Sequence, residues 1–145
     1  MDFGRLPDIS KVDFSLPPDH PCTHQILARA QRPTEPGLYL GCPTWTNKPW
    51  LGTYYPAGAA DQQLLYWYSR QFNTLEMNTT HYRIPDAAAI TRWRQAVPQA
   101  FTFCPKLPQI ISHEQLLQNA GEPTRQFCEA IKGLGATLGL SLIHI

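Results

Sequence analysis

No run of apolar residues in this chain approaches the length that spans a bilayer. None of its four cysteines, Cys22, Cys42, Cys104 and Cys128, falls into a CxxC or Cys/His ligand spacing, which removes the common zinc and dithiol patterns. Neither sign of charge dominates: 12 Lys and Arg stand against 11 Asp and Glu, mixed along the chain, so no basic stripe invites a polyanion. The N-terminus, "MDFGRLPDIS", alternates polar and apolar residues instead of setting a basic cluster before an apolar run. A reduced, cytoplasmic setting is expected. No residue pattern names a cofactor, and no His/Asp/Glu spacing names a metal.

What is present is a globular composition, 43% hydrophobic and 11% aromatic over 145 residues, with 14 prolines that punctuate apolar segments. Residues 1–36 read as an N-terminal arm in which "THQILARA" forms a short helix between proline-rich brackets. From Gly37 the pattern is regular. "LYLGC" reads as a strand and is followed by a Trp/Pro/Gly loop. "DQQLLYWYSRQF" has helical spacing of Leu64, Leu65, Tyr68 and Phe72. "TLEMNTT" is a second strand. Asp86 is placed to cap "AAAITRWRQAV", which leads to the strand "AFTFCPKLP". A helical region from about His113 to Lys132, interrupted near Gly121 and Pro123, precedes a fourth strand, "ATLGL".

Four alternations of strand and helix predict an α/β fold with parallel strands. An open doubly wound sheet and the first half of a TIM-like (β/α)8 barrel both satisfy that order. No glycine-rich turn follows the first strand, and "GCPTW" is a poor phosphate cradle, so the barrel is preferred.

The stretch "FNTLEMNTTHYRIP" indicates where function sits. Side chains alternate along a strand, so Leu75 and Met77 point one way and Glu76, Asn78 and Thr80 the other. With the apolar pair on the helix layer, Glu76 and Asn78 face the barrel interior. In the next strand Phe101 and Phe103 take the helix side, turning Thr102, Cys104 and Lys106 inward. Inward polar groups near the C-terminal strand ends lie where barrel active sites are built. Glu76 and Lys106, on neighbouring strands, are expected to stabilise one another or share a ligand. Interior polar layers can also be purely structural, and spacing alone leaves both readings open. Trp45, Trp50, Tyr54 and Tyr55 suit stacking on a sugar or base, or capping the barrel. His113 and His81 add titratable groups whose bland alternative is an N-cap or a surface contact.

The ordered set "GCPTW", "KPWLGTYYP", "FNTLEMNTTHYRIP", "FTFCPKLP" and "ISH" resembles the YecE-like family, domain of unknown function 72, over residues 38 to about 139. The arm "KVDFSLPPDHP" is similar to an extension in a Bacteroidetes-type subgroup. The resemblance implies a TIM-like barrel and carries Glu76, Asn78, Tyr82, Lys106 and His113 into polar positions at its mouth, with Gly41, Trp45 and Trp50 in the preceding loop. It implies no particular reaction. The chain departs from the family pattern at His81, where Phe is usual, and at Pro43 and Thr44, where Ser-Gly is usual.

On this reading Glu76 is the general base or a metal ligand, Asn78 orients substrate, Lys106 holds an anionic group and His113 is an auxiliary acid. Trp45, Trp50, Tyr82 and His81 are the expected substrate contacts. The ligand is expected to be a polar small molecule or a nucleotide. The rival is a non-catalytic module that grips a nucleotide, RNA or protein. The last six residues, "LSLIHI", match the translation of a transposase-based sequencing adaptor, so the family segment is expected to span 37–139. A full barrel needs roughly 250 residues. The chain is therefore expected to hold about four βα units, inactive alone and prone to self-association through open sheet edges.

Overall fold

The alternation of large apolar and polar residues in "TLEM" and "TFCP" demands a surface that is wet on one side only, and these two segments form the strands. In the computed structural model, which describes residues 18–30 and 37–143 together with 8, 10, 12, 13, 15 and 16, β1 is Thr74–Met77 and β2 is Thr102–Pro105. They pair in parallel, with Thr74 opposite Thr102 and Glu76 opposite Cys104. Two compact units, Met1–Gly37 and Leu38–Ile145, are distinguished. The expected arm and the adaptor-like end lie partly outside the described residues.

In the first unit, α1 (Pro21–Arg29) begins with Pro at its first turn, and the His20 side chain accepts the Cys22 N–H at 3.2 Å. The second unit contains a 3-10 turn (Asp61–Gln63) running into α2 (Leu64–Tyr68), then β1, a short α3 (Thr79–Tyr82), α4 (Ala87–Ala96), β2 and α5 (Gly121–Lys132). Asp86 caps α4 as expected, accepting the Ala89 N–H at 2.7 Å. Leu75 and Met77 from β1 and Phe101 and Phe103 on and before β2 are fully buried with Leu64, Tyr68, Ile90, Phe127, Ile131 and Leu134 from the helical side. Each such aliphatic side chain contributes roughly 1.5–3 kcal/mol by leaving water. Thr74, Glu76, Thr102 and Cys104, on the other face, stay half-buried. The predicted division of faces is correct.

Four expected elements are corrected. The segment 38–42 forms no ladder, because side chains take the hydrogen bonds a strand would exchange. Asn73 acts as a surrogate peptide: its Oδ1 accepts the Leu40 N–H and its Nδ2 donates to Leu38 O, both at 2.7 Å. Gly41 is required there, since a Cβ would overlap the carbonyl oxygen of Thr74. The strand "TLEMNTT" stops at Met77, and Thr80 turns into α3 and is buried instead of facing inward.

The third correction concerns "ATLGL", which starts as a 3-10 turn (Gly135–Thr137). Beyond it the chain touches β2 only through single parallel bridges, Phe103 with Leu138 and Lys106 with Leu142. Between those bridges one side advances three residues and the other four, so the ladder cannot stay in register. Finally, Gly121 and Pro123 sit in the first turn of α5 and do not interrupt it. The break lies upstream, at Leu116, Leu117 and Asn119, whose φ angles are +48, +64 and +55°.

Candidate functional site

β1 ends where Asn78 leaves extended geometry and opens α3. Thr80, the second residue of α3, brings its hydroxyl within reach of both Met77 O (2.8 Å) and Lys106 O (2.7 Å), one proton shared between two carbonyls. This hydroxyl fastens the C-terminal ends of the two strands together. Sequence reasoning missed it because the alternation was extended past the true strand end.

Beside that staple, Lys106 Nζ donates to Asn78 Oδ1 at 3.1 Å, and Asn78 Nδ2 donates to Pro43 O at 3.2 Å. The expected Glu76–Lys106 pair is not formed. The ion pairs among the described residues are Arg125–Glu122 and Lys132–Glu129, both on the exposed side of α5. The reason is the register: Glu76 stands opposite Cys104, and Lys106 lies beyond the paired residues, level with the turn that carries Asn78. Glu76 is half-buried on the open face.

A cavity of about 180 Å³ adjoins Asn78, lined also by Trp45, Thr79, Tyr82, Pro43 and Thr44. Its lining is mostly apolar, with Trp45 held edge-on to Trp93 at 6.2 Å and Tyr82 largely exposed. Trp50 is not part of it. Its ring lies near-parallel to Tyr68 and Phe72 at 6.4 and 5.6 Å and edge-on to Tyr55, which packs the half-buried Trp50 against the apolar core. Of the expected contacts the structure therefore brings together Trp45, Asn78, Tyr82 and Lys106, and separates Trp50 from them.

The remaining two residues meet each other. His81, on α3, and His113, on a π-helical turn (Ile110–Glu114), have ring centres 5.0 Å apart. His81 Nδ1 is 2.9 Å from Leu107 O, and His113 Nδ1 is 2.8 Å from Ser112 Oγ. Among the described residues, no group of three or more His, Cys, Asp or Glu side chains is placed to hold a metal.

Two tyrosines on the core side of the site have altered acidity. Burial is the main cause that pushes Tyr55 and Tyr68 up to about 12, with their mutual proximity and Cys42 adding for Tyr55. Both are neutral donors at any ordinary pH: Tyr55 donates to Trp45 O at 2.9 Å, fixing the loop that carries Trp45.

A parallel strand pair covered by helices on one face, with polar groups gathered at the C-terminal strand ends, defines a mixed α/β protein. The chain belongs to the family described as protein of unknown function DUF72, which matches residues 39–145. It is 30% identical over 102 residues to the UPF0759 protein YecE of Escherichia coli K12, covering 70% of this chain and 35% of that protein. The chain thus spans about a third of the length of the curated relatives it matches. A DUF72 family crystal structure from Enterococcus faecalis V583 is 27% identical, with a TM-score of 0.53 over 69% of this chain and 36% of that one. Another, from Thermotoga maritima MSB8, shares the fold at 24% identity, with a TM-score of 0.54 over 71% of this chain and 42% of that one. No helix among the described residues is long and apolar enough to cross a membrane.

Proposed function

We propose that the chain contributes the first half of a TIM-like barrel enzyme that acts on an anionic polar small molecule, or on a nucleic-acid component, at the C-terminal ends of its strands. The observation that carries this reading is the hydrogen bond from Lys106 to Asn78 beside the cavity under Trp45 and Tyr82. An ammonium whose partner is a neutral amide keeps its full charge for a ligand, and the amide is held by Pro43 O to receive one. Glu76, half-buried nearby on β1, is the carboxylate for general-base work or for a metal. His113 supplies the auxiliary acid.

Calorimetric titration with orthophosphate, nucleoside monophosphates and sugar phosphates tests the binding half of the reading. Binding of one class that weakens about tenfold or more in Lys106→Met supports it, an ordinary cost for a charged contact. Equal binding by the variant overturns it. Glu76→Gln then separates chemistry from binding: loss of turnover with affinity retained assigns Glu76 to the reaction.

The two aromatic walls favour a second reading, a non-catalytic site that holds a base between Trp45 and Tyr82. Salt-dependent oligonucleotide binding without turnover, lost in Trp45→Ala, distinguishes it.

A further inference from the structure

The geometry points to a metal-binding site made by His81 and His113: an open, two-imidazole site for a late first-row divalent cation such as Zn2+ or Ni2+. It goes beyond the proposed function, stands whether or not Lys106 and Asn78 hold an anion, and takes His113 out of its acid role whenever the cation is bound.

The argument begins with protons. A backbone carbonyl can only accept, so the contact at 2.9 Å to Leu107 O fixes the proton of His81 on Nδ1. Ser112 Oγ lies 2.8 Å from His113 Nδ1, and a hydroxyl can accept from that ring nitrogen. Both imidazoles are thereby tied at Nδ1, His81 as the Nδ1–H tautomer, and Nε2 is the ring nitrogen left to each for a cation. Among the described residues no hydrogen bond engages either Nε2. Ligand histidines are prepared in this way, one ring nitrogen tied to a carbonyl or hydroxyl and the other left for the metal.

Distance agrees. A cation about 2.0–2.1 Å from each Nε2, at the tetrahedral angle, sets two ring centres about 5 Å apart. Here they are 5.0 Å apart, with the rings inclined at 75°. Imidazole suits Zn2+, Ni2+ and Cu2+ and is a poor donor for Mg2+ or Ca2+. Because no third acidic, histidine or cysteine ligand is gathered there among the described residues, the other positions fall to water or to a bound molecule, and exchange is fast.

The backbone around His113 supports a built site. His113 sits on a π turn, a form that occurs mostly in single turns at functional positions. The next residues include Leu116 and Leu117 in left-handed conformation, a strain that ordinary loops avoid.

The test uses His20→Gln/His24→Gln/His144→Gln, which leaves His81 and His113 as the remaining histidines of the five. Long-range 15N NMR of the imidazoles is expected to show both rings as Nδ1–H tautomers. Zn2+ is expected to shift both Nε2 resonances together, with one equivalent bound by calorimetry. His81→Phe keeps an aromatic ring on α3 and removes both ring nitrogens, and His113→Gln removes the exposed imidazole; each should weaken binding about tenfold or more. Failure of Zn2+ to move the two Nε2 signals, or unchanged affinity in either variant, overturns the site and leaves an aromatic contact only.

Discussion

The hydroxyl of Tyr68 accepts the backbone N–H of Cys42 at 2.6 Å and reaches Thr74 O at 2.9 Å, so one side chain joins the 38–42 segment to β1. The ring beneath is fully buried. Tyr68→Phe keeps the packing and orphans both backbone groups. It should lower stability by about 1–3 kcal/mol, the cost of unpaired buried polar atoms, as read by urea unfolding.

The same burial sets an alkaline limit. Tyr55 and Tyr68 are held up to about 12, against 10.0 for a free phenol. Between those values the folded chain keeps protons that the unfolded chain releases, so their stabilising contribution is complete below pH 10 and is lost as pH rises through about 12. Ultraviolet titration of tyrosinate should therefore show two of the six tyrosines ionising late, together with loss of the folded signal. Six phenols titrating as one class near 10 would refute the burial argument.

Thr80 makes a sharper test of the site's foundation. Thr80→Val removes the hydroxyl that fastens Met77 O to Lys106 O and should cost about 1–3 kcal/mol. Thr80→Ser retains the hydroxyl, and its loss should be clearly smaller. Equal losses would assign the effect to packing.

Gly41→Ala places a methyl on the carbonyl of Thr74. The segment must shift or β1 must bend, and either response should cost about 1–3 kcal/mol, as overpacking does. Thermal unfolding of the variant beside Gly58→Ala, where a Cβ meets nothing within 4 Å, isolates the contact from glycine entropy.

Much of the fold was legible in the sequence because burial writes a period of two. Leu75 and Met77, then Phe101 and Phe103, announced the core face correctly, and Asp86 announced its helix. What stayed hidden involved side chains replacing backbone. Nothing in "LYLGC" says that Asn73 will supply its partners, and nothing in "TLEMNTT" says that Thr80 will hook back on the strand ends. The site divides likewise. Alternation turned Asn78 and Lys106 away from the core but paired Lys106 with Glu76 instead of Asn78, and the contact of His81 with His113 depends on a π turn that no periodicity reveals.

The unequal spacing opposite β2 has a final consequence. Phe103 faces the core and Lys106 the open side, yet the residues that meet them, Leu138 and Leu142, have the same parity. The additional residue near Gly139 therefore changes which parity of the 138–142 segment faces the core, while its two bridged residues keep to the faces of their partners on β2.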